Sequence, residues 1–245
     1  MKVSCCMTAG HGDNRSQDRL LVFDSVMANG EAQFHWDSAM EGIIAIFDGV
    51  GGVQGGAYAS DYTAKQMSAF PSNEDAPALR DYLSSIAAHL RECNNCATTA
   101  TGLVISEQRK LLFHIGNTRL FFYDGSFMNQ ATEDQTYANE HIGELSEEEY
   151  ERVRNQITGC LGGNREQLFE KLIVRDATEL LSEKSLLVLT CDGIHEYVDS
   201  YSILESIQTG KPLHDLIRAA REAGSDDDCS FRHHAESYWL WQWKT

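Results

Sequence analysis

Apolar residues along the chain fall in short, dense runs. Residues 20–23, 43–47, 102–106, 110–115, 120–123 and 186–190 are rich in aliphatic, β-branched or aromatic side chains and are bounded by Gly, Asn or Asp. Runs of this length and make-up predict strands. Between residues 99 and 124, three of them follow one another across tight turns at 107–109 and 116–117, which predicts antiparallel pairing. Other stretches carry the helical period. In 75–91, Leu79, Leu83, Ile86 and Leu90 share one face and Pro77 lies near the start. Residues 56–70 follow a glycine cluster and space Ala57, Ala64, Met67 and Phe70 roughly helically. Ser146, three positions before Glu149, forms a capping box that opens a helix through 157. Residues 200–207 and 213–222 read as two further short helices. Strand blocks and helix pairs without regular β-α-β alternation predict an α+β fold rather than a doubly wound parallel sheet.

Composition narrows the picture. The chain has 245 residues, only three prolines (Pro71, Pro77, Pro212) and no Ser/Gly/Pro-rich linker, so one domain over 1–245 is expected. Its 37 acidic and 20 basic residues give a net charge of −17. Such a surface repels nucleic-acid phosphates and anionic lipids, and neither is expected as a partner. No apolar run reaches the ~18 residues of a membrane span, and the N-terminal segment has a single Lys and no apolar stretch, unlike a secretory signal. The seven cysteines, an odd number with Cys5 and Cys6 adjacent and Cys160, Cys191 and Cys229 scattered, read as reduced thiols of a cytoplasmic protein. Cys93 and Cys96 form a lone CxxC, a weak zinc signal read here as structural.

Four segments set carboxylates beside strands: Asp18 before 20–23, Asp48-Gly49 after 43–47, Asp192-Gly193 after 186–190 with Glu196 following, and the triplet Asp226-Asp227-Asp228. An apolar strand buried on both faces and ended by Asp-Gly leaves its carboxylate at the rim of the core. That position is costly unless a positive charge compensates it. The glycine lets the backbone turn and its carbonyl approach an ion closely. Each Asp-Gly alone is also an ordinary turn. Their coincidence points to a site for a hard divalent cation with oxygen ligands.

In order and spacing, the segments Ser16-Gln17-Asp18, Asp48-Gly49-Val50-Gly51-Gly52, Thr98-Thr99-Ala100-Thr101-Gly102, Gly116-Asn117-Thr118-Arg119, Cys191-Asp192-Gly193 and Asp227-Asp228-Cys229-Ser230 resemble those of the metal-dependent type 2C (PPM) protein Ser/Thr phosphatases, in particular the bacterial members. The resemblance spans about residues 10 to 232. It implies a four-layer αββα sandwich: two antiparallel sheets flanked by helix pairs. It also implies two Mn²⁺ or Mg²⁺ ions at one end. Asp48 would bridge both ions and the Gly49 carbonyl would bind one. Asp192 and Asp227 would complete the other's shell, and Asp18 would orient bound water. The implied chemistry is hydrolysis of phosphoserine and phosphothreonine monoesters by a metal-activated water, without a phosphoenzyme. The implied partner is a phosphoprotein made by a Ser/Thr kinase.

The chain departs from that pattern at three places. Asp13 stands where the family has a phosphate-binding Arg, which leaves Arg15 to fill the role, with Arg19 as its neighbour beyond the motif. Val50 replaces a proposed proton donor, for which His11 is a substitute. Asn117 replaces an Asp of an outer metal site, keeping an oxygen but losing a charge; Glu196 is the other candidate ligand there. These departures motivate a second reading, a catalytically weak phosphoprotein-binding or regulatory module, and a small-molecule phosphatase is a third. At the C-terminus, Trp239, Trp241 and Trp243 alternate as on one face of a last strand.

Overall fold

The computed structural model describes residues 2–8, 16–35, 41–50, 55–94, 96–180 and 186–235. The tryptophan segment at 239–243 lies outside them. In chain order the elements are β1 (Lys2–Thr8), β2 (Arg19–Val22), β3 (Ser25–Met27), β4 (Gly30–His35), β5 (Gly42–Phe47), α1 (Gly56–Met67) and α2 (Ala76–Glu92). Then come β6 (Ala97–Thr98), β7 (Ala100–Ile105), β8 (Lys110–Ile115), β9 (Arg119–Tyr123), β10 (Met128–Gln130), α3 (Tyr137–Glu140) and α4 (Glu147–Val153). The last third holds β11 (Leu161–Gly162), α5 (Gln167–Glu170), β12 (Ile173–Asp176), β13 (Leu186–Thr190), α6 (Asp192–His195), α7 (Ser200–Gln208), α8 (Leu213–Glu222) and β14 (Cys229–Ala235).

The strands form two six-stranded sheets, ordered β12-β8-β7-β5-β2-β3 and β10-β9-β13-β14-β1-β4, plus a β11-β6 pair. Every recorded strand pairing is antiparallel. Alternation along the central strands explains the apolar runs. In β5, Ile43, Ala45 and Phe47 pack with α1 and α2 through Ala59, Met67, Leu83 and Leu90, while Ile44 and Ile46 point the other way. That opposite face meets the second sheet through Leu187 and Leu189 of β13. Leu186 and Val188 of β13 turn instead to Ile194, Ile203, Leu216 and Ile217 of α6, α7 and α8. A strand with both faces buried has no polar alternation to show.

Local signals set the helix ends. Asp75 accepts from the Ala78 N–H at 2.9 Å with Pro77 in the first turn, and Asp199 caps α7 through the Ser202 N–H at 3.0 Å. The Ser146–Glu149 capping box is present, but α4 stops at Val153, short of 157. There the chain is claimed by another element: the Gln156 carbonyl accepts from the Tyr137 N–H at 2.8 Å, and Ile157 bridges Thr136. Among the described residues, no helix is long and apolar enough to cross a membrane.

Candidate active site

Strand register brings the acidic segments to one end of both sheets. In one sheet β2 runs antiparallel to β5 with Arg19 opposite Phe47, so Asp18 just before β2 lies across from Asp48 just after β5. In the other, Thr190 of β13 is paired with both Arg119 of β9 and Phe231 of β14. The segments next to those positions hold Asn117, Asp192 and Asp227. The two halves are tied together by the Gln17 N–H, which donates to Asp228 Oδ2.

The backbone around Asp48 is fixed by a threonine pair. Thr98 Oγ1 and the Thr99 N–H both donate to the Asp48 carbonyl at 2.8 Å, and the Asp48 N–H donates to Thr99 Oγ1 at 3.2 Å. Gly49 donates its N–H to the Gln17 carbonyl at 3.2 Å. A Cβ on Gly49 would meet the Gly56 backbone carbonyl at 2.5 Å, so glycine is required by close approach rather than by the turn alone. Gly193 is constrained likewise: a Cβ there would collide with the Asp228 carbonyl oxygen. His195, buried in α6, anchors that helix through a 2.7 Å hydrogen bond with Thr190 Oγ1.

Electrostatics show that the carboxylates act on one another. Burial, then Asp18, Asp192 and Asp227 in turn, push the Asp48 carboxyl well above the usual range, and it is hydrogen-bonded to Asp18. Burial and the charges of Asp227, Glu196 and Asp18 raise Asp192 to about 7, although Asn117 Nδ2 donates to its Oδ2 at 2.9 Å. Burial also raises Asp227. Asn117 Oδ1 is buried and has no hydrogen-bond partner among the described residues. This donor set is all oxygen, shielded from water and short of positive charge, which suits a hard divalent cation. Among the described residues no three His, Cys, Asp or Glu side chains are already arranged around a metal position.

The remaining candidates fall out differently. Glu196 is raised by burial, but Arg154 Nη1 lies 2.8 Å from its Oε2, so a guanidinium already neutralises this carboxylate. Arg19 is not free for a phosphate. Its Nη1 donates to the Ser16 and Asp18 carbonyls at 2.7 and 2.6 Å, and its Nε pairs with Asp61 at 3.0 Å. Arg119 is engaged by Asp134 through both Nε and Nη2. Arg15, with His11 and Asp13, lies outside the described residues. Thr98, Thr99 and Asp228 stand in segments that the sequence singles out, but their contacts with the Asp48 and Gln17 backbones come only from the fold.

Known proteins share both sequence and fold with this chain. PstP of Mycobacterium tuberculosis, a serine/threonine protein phosphatase, is 26% identical over 223 residues, 83% of this chain and 41% of PstP. Protein phosphatase PhpP of Streptococcus pneumoniae is 26% identical over 208 residues, 76% of this chain and 82% of PhpP. In sequence this chain is similar to bacterial Ser/Thr protein phosphatases. The chain therefore spans less than half the length of PstP and most of PhpP. The serine/threonine phosphatase of S. agalactiae superposes with a TM-score of 0.75 at 21% identity, over 95% of this chain and 98% of that one. The catalytic domain of PstP, solved in complex with 2 manganese ions, gives 0.65 at 22% identity over 95% and 98%. No family model matches.

The raised carboxyls make metal-free stability depend on pH in a defined direction. Asp192 titrates at about 7 in the folded chain against 3.8 ordinarily, so the folded state holds a proton that the unfolded state releases. The stabilisation is complete below the ordinary value and is lost as pH rises through about 7. Thermal melts in excess chelator are therefore expected to show a higher Tm at pH 5 than at pH 8. Added Mn²⁺ should reverse the order, since cations bind the ionised forms. A metal-free Tm that climbs from pH 5 to pH 8 would contradict this.

Proposed function

We propose that this chain is a metal-dependent phosphoprotein phosphatase that hydrolyses phosphoserine and phosphothreonine monoesters. The observation that carries the reading is the mutual electrostatic coupling of Asp48 with Asp18, Asp192 and Asp227, contributed by both sheets at one end of the fold. Homology to PstP and PhpP supports the same class of reaction. The Mn²⁺-bound PstP structure supports a pair of divalent ions, Mn²⁺ or Mg²⁺.

In this reading Asp48, the Gly49 carbonyl, Asp192 and Asp227 would hold the ions. Bound there, the ions supply charge that lowers the pKa of a water and offsets the phosphate dianion. Asp18, fully buried beside Asp48, would orient the attacking water. Thr98 and Thr99 keep the Asp48 backbone from yielding. Asn117 donates to Asp192 and selects which of its oxygens remains available. Glu196 is satisfied by Arg154, so an outer metal ion at Asn117 and Glu196 would compete with a resident cation. Arg15 remains the candidate for gripping the phosphate through parallel N–H donors.

The deciding experiment is hydrolysis of an aryl phosphate and a phosphothreonine peptide with Mn²⁺, with Mg²⁺ and with chelator. Turnover is expected with the metals and none in chelator. Full turnover in chelator, with metal absence verified by elemental analysis, would sink the metal mechanism. Binding of the phosphopeptide without turnover under any metal would instead favour the binding-module reading, and turnover of small phosphate esters alone would favour a metabolite phosphatase.

A further inference from the structure

A second cluster of reactive side chains lies where α2 ends. Gly55, Tyr58, Cys93, Asn94 and Cys96 line an open pocket of about 580 Å³. Cys93 caps α2 and is half-buried, while Cys96 is buried. Between them Asn94 adopts the left-handed conformation, φ 58°, and the Cys96 N–H donates to the Cys93 carbonyl at 3.3 Å. A turn closed in this way holds its end Cα atoms within about 7 Å, close to the span a disulfide bridges. Cys96 Sγ points into the same turn, 2.6 Å from the Cys93 carbonyl oxygen.

The CxxC has a base that its spacing alone does not reveal. His89 is one helical turn before Cys93, and its Nε2 lies 3.4 Å from Cys93 Sγ and 3.1 Å from Tyr58 Oη. Its ring stacks on Tyr62 at 4.2 Å between centroids, and Tyr62 stacks on Tyr58 at 5.9 Å. The imidazole is therefore held in place. A helix C-terminus disfavours a thiolate, so a proton acceptor at this position has a use that packing alone does not give it. A thiol with an imidazole in contact and a second thiol three residues on is the arrangement of thiol–disulfide chemistry.

The turn also touches the carboxylate site. Cys96 is followed directly by β6, whose Ala97 carbonyl accepts from the Val50 N–H at 3.0 Å and whose Thr98 hydroxyl donates to the Asp48 carbonyl at 2.8 Å. A Cβ on Gly55, at the start of α1, would collide with Cys96 Sγ. Cys96 therefore adjoins both the strand that holds the Asp48 backbone and the start of α1.

We propose that Cys93 and Cys96 are a thiol–disulfide exchange site for low-molecular-weight disulfides, and that closing the bond slows the reaction at the Asp48 loop. The second half rests on the phosphatase reading. In the first step Cys93 gives its proton to His89 and attacks one sulfur of R–S–S–R. A Cys93–S–S–R bond forms, and the released thiolate takes the proton back as R–SH. In the second, Cys96 attacks the Cys93 sulfur, the internal disulfide forms, and a second R–S⁻ leaves with the Cys96 proton. Two thiols are oxidised by two electrons, and one small disulfide is reduced to two thiols.

The test exposes the reduced full chain to oxidised glutathione, alkylates the remaining thiols, and maps the peptides by mass. The parent is expected to show an internal Cys93–Cys96 disulfide. Cys96→Ser should stop at a glutathione adduct on Cys93, and Cys93→Ser should form neither. His89→Gln should slow adduct formation about tenfold, through loss of the proton acceptor beside Cys93. Oxidation should lower Mn²⁺-dependent aryl phosphate hydrolysis several-fold, reversibly with dithiothreitol, in the parent but not in the double Cys→Ser variant. Full alkylation of both cysteines after exposure would overturn the exchange site. A complete disulfide with an unchanged rate would overturn the coupling. A reduced protein without any Mn²⁺-dependent hydrolysis would overturn the phosphatase reading and the coupling with it, while the mass readout still decides the exchange site.

Discussion

Asp48→Asn is expected to remove nearly all hydrolysis while leaving the metal-free fold at least as stable as the parent. The two effects have one cause. Asp48 is the carboxyl on which burial and the charges of Asp18, Asp192 and Asp227 all converge, and without a cation these forces disfavour its ionised form. An amide copies the shape of that neutral acid and can still donate to Asp18. It removes a buried group whose ionisation the fold resists, so a Tm in chelator equal to the parent's or a few degrees higher is expected. The metal-bound state loses instead. Asp48 is assigned to both ions, and weakening both removes several kcal/mol of charge stabilisation, a rate loss of about a thousandfold or more. Hydrolysis at saturating Mn²⁺ and melting in chelator, on the same preparation, separate the two effects. Undiminished turnover would take Asp48 out of the ligand set. A large drop in metal-free Tm would show that its carboxylate is a structural partner rather than a latent ligand.

The parts legible in the sequence share a physical reason. β5 and β13 are buried on both faces, so their apolar runs are unbroken, and their Asp-Gly ends stand out against them. The helices announce themselves through caps such as Asp75 and Ser146. By contrast β1 and β14 are both interior strands of their sheet yet read KVSCCMT and CSFRHHA. Their place comes from pairing with each other and with β13 and β4, information held by partners far away in the chain. The same holds for the site. Asp18, Asp48, Asp192 and Asp227 could be picked out locally. The guanidinium on Glu196 comes from Arg154, 42 positions away by number, and the hydrogen bond on Asp228 comes from Gln17, across most of the chain. His89 stands one helical turn before Cys93, a spacing local to α2, and what the sequence hides is the packing of α1 that lays Tyr62 and Tyr58 against its ring.

Asn117→Asp is expected to make the fold itself depend on a divalent cation. In the parent, the Asn117 amide donates to Asp192 and its buried Oδ1 has no hydrogen-bond partner among the described residues. An ionised Asp at this position loses the donor, faces Asp192 with a like charge, and is buried with it. Losing a hydrogen bond to a charged group costs about 1.5–3 kcal/mol, and the repulsion adds to that. At pH 8 in chelator the variant should therefore melt well below the parent. At pH 5 the new carboxyl can keep its proton, donate to Asp192 as the amide did, and recover most of the loss. The pKa of the added group is raised by its surroundings, so the stability it permits is present at low pH and lost as pH rises through its folded value. A cation changes the sign of the comparison. Two facing carboxylates attract Mn²⁺ more strongly than a carboxylate and an amide, so the Mn²⁺ concentration that half-restores stability at pH 8 should fall relative to the parent. Arg154 is expected to stay paired with the Glu196 carboxylate in both forms, which confines the gain to the Asn117–Asp192 side of the site. Melting curves for parent and variant at both pH values, with chelator and across a Mn²⁺ titration, test every part of this. Identical melting in chelator at pH 8 would mean that position 117 does not face Asp192 closely enough to matter, and that the exchange of Asp for Asn there is not what sets the metal affinity of this chain.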